Sequence, residues 1–225
     1  MSARVLLSWS SGKDSAWALH RLRKSHDTEI VGLLTTFNEA AARVAMHAVR
    51  QTLVEAQAAA TGLPLWPVAL PYPCSNEQYA AIMAGVVTQA RAAGITHIAF
   101  GDLFLADIRA YRETMLAGTG IAPLFPLWGS ALDTPALAHE MLAGGLRAVL
   151  TCVDPQQLAA AFAGRSYDAA LLAELPQGVD PCGENGEFHT FCYAGPMFTR
   201  DIPIALGETL TRDGFCFTDV LPAEH

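Results

Sequence analysis

Lysine is almost missing from this chain: only Lys13 and Lys24 occur among 225 residues. Charged residues reach just 16% and the formal net charge is −8. Nucleic-acid binders carry a basic field, and nothing beyond Arg21-Leu22-Arg23-Lys24 supplies one. That short run reads as the solvated C-terminal end of a helix, where cations complement the dipole. No extended nucleic acid is therefore expected as a partner. No apolar run approaches the ~18 residues of a membrane span, and no charged-then-apolar signal segment opens the sequence. The expectation is a cytoplasmic protein with no membrane partner. The five cysteines (Cys74, Cys152, Cys182, Cys192, Cys216) are odd in number and form no C-x-x-C, which argues against a disulfide framework or structural zinc. Internal repeats are absent as well. With 52% hydrophobic residues, the chain is globular and long enough for one large domain or two small ones.

What is present begins at the N-terminus. Val5-Leu6-Leu7 reads as a buried strand and Ala16 to Leu22 as an amphipathic helix. Between them lies Ser8-Trp9-Ser10-Ser11-Gly12-Lys13-Asp14-Ser15. A strand that delivers a small-residue turn into a helix start makes an anion site, because unpaired N–H groups and the positive end of the dipole converge there. Gly12 lets the backbone approach, Ser10, Ser11 and Ser15 offer hydroxyls, and Lys13 adds a compact charge suited to phosphate. The stretch is not a Walker A loop, whose first glycine is missing and whose Lys-Ser/Thr pair is replaced by Lys13-Asp14. The plain alternative is a strand–helix turn with Asp14 or Ser15 as N-cap.

Further along, strand and helix patterns alternate. Strands are expected at Glu29–Thr36, Leu65–Leu70, Ile95–Phe100 and Leu124–Leu127. Pro67 marks the second of these as an edge strand or one with an irregular start. Helices are expected from Arg43 to about Thr61 with Gly62 as stop, from a Ser75–Gln78 capping box to Gly94, and from about Asp107 to Leu116. Such alternation predicts a parallel sheet with ligands beyond the carboxyl ends of its strands, where Ser10, Thr36, Gly101 and Trp128 fall. From Trp128 the pattern changes. Thr134-Pro135 opens a helix, 147–153 is a strand, Asp154-Pro155 starts another helix, and Leu171-Leu172 lie in a short one broken at Pro176. Short strands separated by Gly, Pro and Asp fill Phe188 to Phe217. A boundary near residue 130 divides a nucleotide-binding half, 1–130, from a smaller α+β substrate-binding half, 131–225.

A second dense stretch is Cys182-Gly183-Glu184-Asn185-Gly186-Glu187-Phe188-His189-Thr190. Two glycines around two glutamates give a turn that presents carboxylates, able to hold a cation, orient an amine or act as a base, or else a solvated β-turn.

Taken together, these stretches carry a resemblance. Ser10–Ser15 is similar to the pyrophosphate loop S-G-G-x-D-S of the ATP pyrophosphatase superfamily, with Ser11 where the first glycine usually sits. That loop, Gly101-Asp102 with Arg109 and Glu113, Pro126-Leu127-Trp128 and Gly183–Phe188 occur in the order of the diphthine–ammonia ligase family. The resemblance spans nearly the whole chain and thins after about Asp201. It implies an adenine nucleotide alpha hydrolase-like fold: a parallel five-stranded α/β sheet flanked by helices, plus a smaller C-terminal α+β domain. It implies an AMP-forming ligase that uses ATP and Mg²⁺, adenylates a carboxylate and amidates it with ammonia or an amine. The carboxylate can be a small molecule or borne on a protein, and a homodimer is the guessed assembly.

In that scheme the loop and Lys13 hold the β- and γ-phosphates, and Asp14 orients Lys13 or joins Mg²⁺. Thr35 and Thr36 lie near adenine, Gly101 admits ribose, and Asp102 bonds a hydroxyl or the metal. Arg109 takes the α-phosphate or the substrate carboxylate, and Glu184 and Glu187 position the amine or the activated carboxylate. Glu113, Trp128, Gly183, Asn185 and Gly186 complete the substrate side with His189, which neighbours Glu187, and with His47, which follows the second strand. The sequence departs from the family at Asn185 and His189, and at Tyr111, where a second arginine is usual; Arg112 sits one residue further on. Met46-His47 looks more like bacterial relatives, for which a corrinoid-related acid is an alternative acceptor. Two other readings stay open: RNA thiolation through an adenylate with Cys182 as sulfur carrier, and a nucleotide sensor without catalysis.

Overall fold

The computed structural model describes residues 2–39, 43–44 and 49–223. Apolar alternation and β-branched runs place strands β1 (Ala3–Ser8), β2 (Thr28–Asn38), β3 (Arg43–Val44), β4 (Leu65–Leu70), β5 (His97–Ala99) and β6 (Ala122–Leu124) in one sheet. Helices α1 (Lys13–Arg23), α2 (Gln51–Thr61), α3 (Asn76–Ala92) and α4 (Ala106–Leu116) connect them. Strand order β4-β2-β1-β5-β6 is parallel throughout, with β3 pairing antiparallel to the end of β2. The chain therefore winds outward from β1 in one direction and then returns to build β5 and β6 on its other side. The loops after β1 and β5 flank the point of reversal, the place where open α/β sheets bind ligands.

Local chemistry explains most boundaries. Ser75 and Gln78 form the expected reciprocal capping box on α3, and Gly62 closes α2 in the left-handed conformation. Pro67 lies on β4, which among the described residues pairs with β2 alone, so its missing N–H leaves no ladder bond unmade there. Four expectations need correction. The helix expected from Arg43 starts at Gln51, because Arg43 and Val44 pair with Asn38 and Phe37 as strand. Gly12, not Asp14 or Ser15, is the N-cap of α1. The strand expected at Leu124–Leu127 is β6, ending at Leu124, where Phe100 N–H bonds the Leu124 carbonyl. Asp154-Pro155 starts a turn followed by a 3-10 segment at Ala160–Phe162, since the Asp154 side chain bonds the Gln156 N–H and the Gln157 amide.

Beyond Leu127 come α5 (Thr134–Ala143), β7 (Arg147–Val153), β8 (Ser166–Tyr167), α6 (Ala169–Glu174), β9 (Phe188–Ala194), β10 (Ile204–Arg212) and β11 (Phe215–Pro222). β7 is the hub of this antiparallel sheet, bonded to β8, β9 and β11, with β10 as edge. One hydrophobic cluster runs from Leu7, Trp17 and Leu53 to Met141, Leu150 and Phe191, so α1 and α2 pack against both sheets. Burying such a continuous apolar surface fixes β9 beside the start of α1. No helix among the described residues is long and apolar enough to cross a membrane.

Candidate active site

The loop after β1 is clamped from three sides. Ser11 has φ +70°, a left-handed value that its side chain disfavours, and its hydroxyl is buried without a hydrogen-bond partner. Its carbonyl is held by the Cys192 N–H at 2.9 Å and the Gln57 amide at 3.0 Å. The same buried Gln57 accepts from the Trp9 indole at 2.8 Å and donates to the Cys192 carbonyl at 2.6 Å. The Lys13 N–H donates to Thr190 Oγ1 at 3.1 Å, tying the first residue of α1 to β9. Ser10 and Ser15 hydroxyls lie 3.2 Å apart.

Lys13 is buried, with Nζ 2.8 Å from Asp14 Oδ2, bonded to the Cys182 carbonyl, and 5.5 Å from the ring centres of Tyr167 and Phe188. Burial alone would lower its ammonium, but the charge of Asp14 and the hydrogen bond to it oppose that and hold Lys13 above its ordinary value. Its donors are engaged by Asp14 and Cys182, so in this state Lys13 gives the loop charge and not a free donor.

The second loop is built around Glu187. This carboxylate, 2% exposed, accepts from the Asp180 N–H at 2.9 Å, the Asn185 N–H at 3.0 Å and the Asn185 side-chain amide at 3.0 Å. Asp180 in turn accepts from the Glu184 N–H at 2.8 Å. Gly183 has φ +68°, and a Cβ there would sit 2.8 Å from the Phe188 carbonyl, so the turn admits only glycine. The frame turns Glu184 toward the loop after β5, where it accepts a single backbone bond from the Leu103 N–H at 2.7 Å. Burial pushes its carboxyl up to about 7, with Asp14 adding to the rise and the Leu103 bond opposing it. Burial, then the charge of Lys13, lowers the His189 imidazole to about 4, so it is neutral at pH 7. Burial raises the Cys182 thiol to about 12, which leaves it protonated and a poor nucleophile.

Two cavities open here. The smaller, about 250 Å³, lies at the start of α1 against Lys13, Asp14, Ser15, Gly101, Gly183 and Gly186. The larger, about 520 Å³, is walled by Leu34, Thr36, Leu70, Met83, Ile98 and Ile108. Ser10, Phe100, Asp102, Arg112, Glu184 and His189 line both. Arg112 Nε lies 3.4 Å from Asp102 Oδ2, and its guanidinium sits over the Phe100 ring at 4.8 Å. Burial raises the Asp102 carboxyl, and Arg112 opposes the rise.

Of the residues expected at the site, Ser10, Lys13, Asp14, Ser15, Thr36, Gly101, Asp102, Gly183, Glu184, Gly186 and His189 border these cavities. Ser11, Gly12, Asn185 and Glu187 support the loops from behind. Thr35 is buried and bonds the Trp9 carbonyl at 2.9 Å. Gly101 is needed for packing: a Cβ there would lie 3.0 Å from the Ser15 N. Arg109, Glu113 and Trp128 form a cluster of their own, with Arg109 Nε 2.8 Å from Glu113 and its guanidinium 4.7 Å from the Trp128 ring centre. None of the three lines either cavity. His47 lies outside the described residues. Sequence reasoning passed over Gln57 and Asp180, and it quoted Thr190 within the second stretch without giving it a role. Gln57 was findable as a polar residue on the apolar stripe of α2, Thr190 as the last residue of its motif.

No group of three or more His, Cys, Asp or Glu side chains suited to a metal occurs among the described residues. Asp14 and Asp102 fit Mg²⁺ only as part of a set completed by nucleotide phosphates, the way this ion is normally held.

Comparison with known proteins extends the picture. Residues 3–122 match the diphthamide synthase N-terminal domain and residues 133–219 the diphthamide synthase C-terminal domain. A diphthine–ammonia ligase of Danio rerio is 35% identical over 129 residues, 52% of this chain and 47% of that protein. One from Bos taurus is 29% identical over 126 residues, 52% of this chain and 45% of its own length. The chain thus spans about half the length of the curated relatives it matches. With both domain models matched in order along one cleft-bearing fold, this chain belongs to the diphthamide synthase family.

Proposed function

We propose that the cleft is the active site of an ATP-dependent, AMP-forming ligase that converts a carboxylate to an amide with ammonia. The observation that carries this reading is the junction of a small polar cavity at a helix N-terminus with a larger apolar one. That shape suits a polyphosphate joined to an aromatic base. The relatives, diphthine–ammonia ligases, support the same chemistry and suggest a diphthine-like carboxylate as acceptor.

The reaction divides into two displacements. A carboxylate oxygen attacks the α-phosphorus, the bond from phosphorus to the bridging oxygen breaks, and pyrophosphate leaves. Ammonia then attacks the acyl carbon, and the C–O bond to AMP breaks. N–H groups at the start of α1 and the charge of Lys13 stabilise the leaving pyrophosphate. Asp14 and Asp102 would hold Mg²⁺ together with the phosphates, and the ion would neutralise phosphate charge. Glu184, titrating near 7, accepts the proton that nitrogen loses on forming the amide. Neutral His189 borders the same space without adding charge.

The test is exchange of labelled pyrophosphate into ATP with Mg²⁺, across carboxylates that include diphthine-bearing elongation factor and corrinoid acids. Exchange dependent on one carboxylate is the expected result. ATP binding with no exchange for any of them, the factor included, would remove the ligase reading. RNA thiolation is not favoured, because the Cys182 thiol is buried and held near 12.

A further inference from the structure

We infer that Arg112, not Arg109, is the residue that grips the α-phosphate of the bound nucleotide, with Asp102 and Phe100 holding its guanidinium in place. The inference rests on the nucleotide placement proposed above and deepens it. In an adenine nucleotide the α-phosphate stands between the nucleoside and the terminal phosphates. With terminal phosphates in the small cavity and the nucleoside in the apolar one, the α-phosphate falls on the wall that the two share. Among the described residues Arg112 is the one arginine or lysine on that wall; Lys13 borders the small cavity and is engaged by Asp14 and Cys182.

The setting of Arg112 suits a preformed clamp. Its Nε faces Asp102 and its flat face covers Phe100, so two contacts fix the plane of the guanidinium. Among the described residues, its two terminal amino groups carry no hydrogen bond. A planar fork with unengaged donors matches two phosphate oxygens. Arg109, three residues earlier on the same helix, lies instead over the Phe125 and Trp128 rings and pairs with Glu113. The acids that share the wall, Asp102 and Glu184, would repel a phosphate without this cation between them.

The experiment is calorimetric titration of adenosine, AMP and ATP into the full chain and into Arg112→Ala, Arg112→Lys and Arg109→Ala. A charge-assisted hydrogen bond contributes about 1.5–3 kcal/mol, which is roughly a 10–100-fold change in affinity. Arg112→Ala is expected to weaken AMP and ATP by that factor and leave adenosine within about twofold. Arg112→Lys should fall between, and Arg109→Ala should leave all three within about threefold. A structural role alone would weaken adenosine, AMP and ATP together. An unchanged ratio of AMP to adenosine affinity in Arg112→Ala would overturn the assignment. If that variant fails to fold, Arg112→Lys and Arg112→Gln, which keep the apolar stem, give the same comparison. If Arg112→Ala shows the AMP effect yet wild type forms no amide with any carboxylate, the ligase reading alone is defeated. A wild type that binds no adenine nucleotide defeats both.

Discussion

The two loops that meet in the cleft are built by opposite means. The loop at residues 10–15 is held from outside: Gln57, Cys192 and Thr190 grip its backbone, and its own Ser11 sits in a disfavoured conformation with an idle hydroxyl. The loop at residues 180–188 is held from within, by a carboxylate that gathers its N–H groups. The difference shows in a pair of identical residues. Glu187 is saturated by three donors, whereas Glu184, three positions earlier, has one backbone donor and faces the cavity. Two glutamates in one motif thus stand in separate settings, one shaping the turn and the other presenting a carboxyl to the cavity.

The largest effect that would sharpen this contrast comes from Lys13. Removing one partner of a fully buried ion pair typically costs about 3–5 kcal/mol. Asp14 is partly exposed to the cavity, so Lys13→Met should lower thermal stability by somewhat less than that and abolish ATP turnover. Adding Asp14→Asn should restore part of the melting temperature and none of the activity; calorimetry with a turnover assay reads both. Next is the glutamate pair. Glu187→Ala leaves buried N–H groups without an acceptor at about 1–3 kcal/mol each, and should destabilise the protein and disable the cleft together. Glu184→Gln should fold normally. Equal loss of stability in the two variants would erase the distinction.

The pH dependence follows from Glu184. Its carboxyl is raised in the folded protein to about 7, so the neutral form is favoured by folding. The stability it contributes is full below the ordinary glutamate value and is lost as pH rises through about 7. The melting temperature of wild type should therefore fall relative to Glu184→Gln over that window, and parallel curves would contradict it. The smallest effect is expected at Ser11. Ser11→Gly relieves a left-handed residue and an unbonded hydroxyl, against the added chain entropy of glycine, for a net gain of about 1 kcal/mol. For a chain of this size that is a rise of roughly 2–4 °C, read by scanning calorimetry.

Much of this was legible in the sequence, and for physical reasons. Val5-Leu6-Leu7, the Ser75–Gln78 box and Gly62 are local signals whose outcome depends on near neighbours, and the parallel sheet follows from them. The start of α2 was not legible, because Arg43 and Val44 pair with β2, a tertiary choice that helical periodicity cannot see. Among site residues, motif membership located both loops but could not say which glutamate faced the cavity. That depends on the path of the turn set by Asp180, seven residues before Glu187. Arg109 and Arg112 lie on one helix, and tertiary neighbours separate their surroundings: Phe125 and Trp128 for the first, Phe100 and Asp102 for the second.

The most direct test of the account is to follow pyrophosphate exchange and amide formation side by side in wild type and Glu184→Gln, from about pH 5.5 to 9. The account predicts carboxylate-dependent exchange in both proteins, with amide formed only by wild type and rising through pH ~7 as Glu184 ionises. Amide formation by Glu184→Gln at the wild-type rate and with the same pH profile would contradict it.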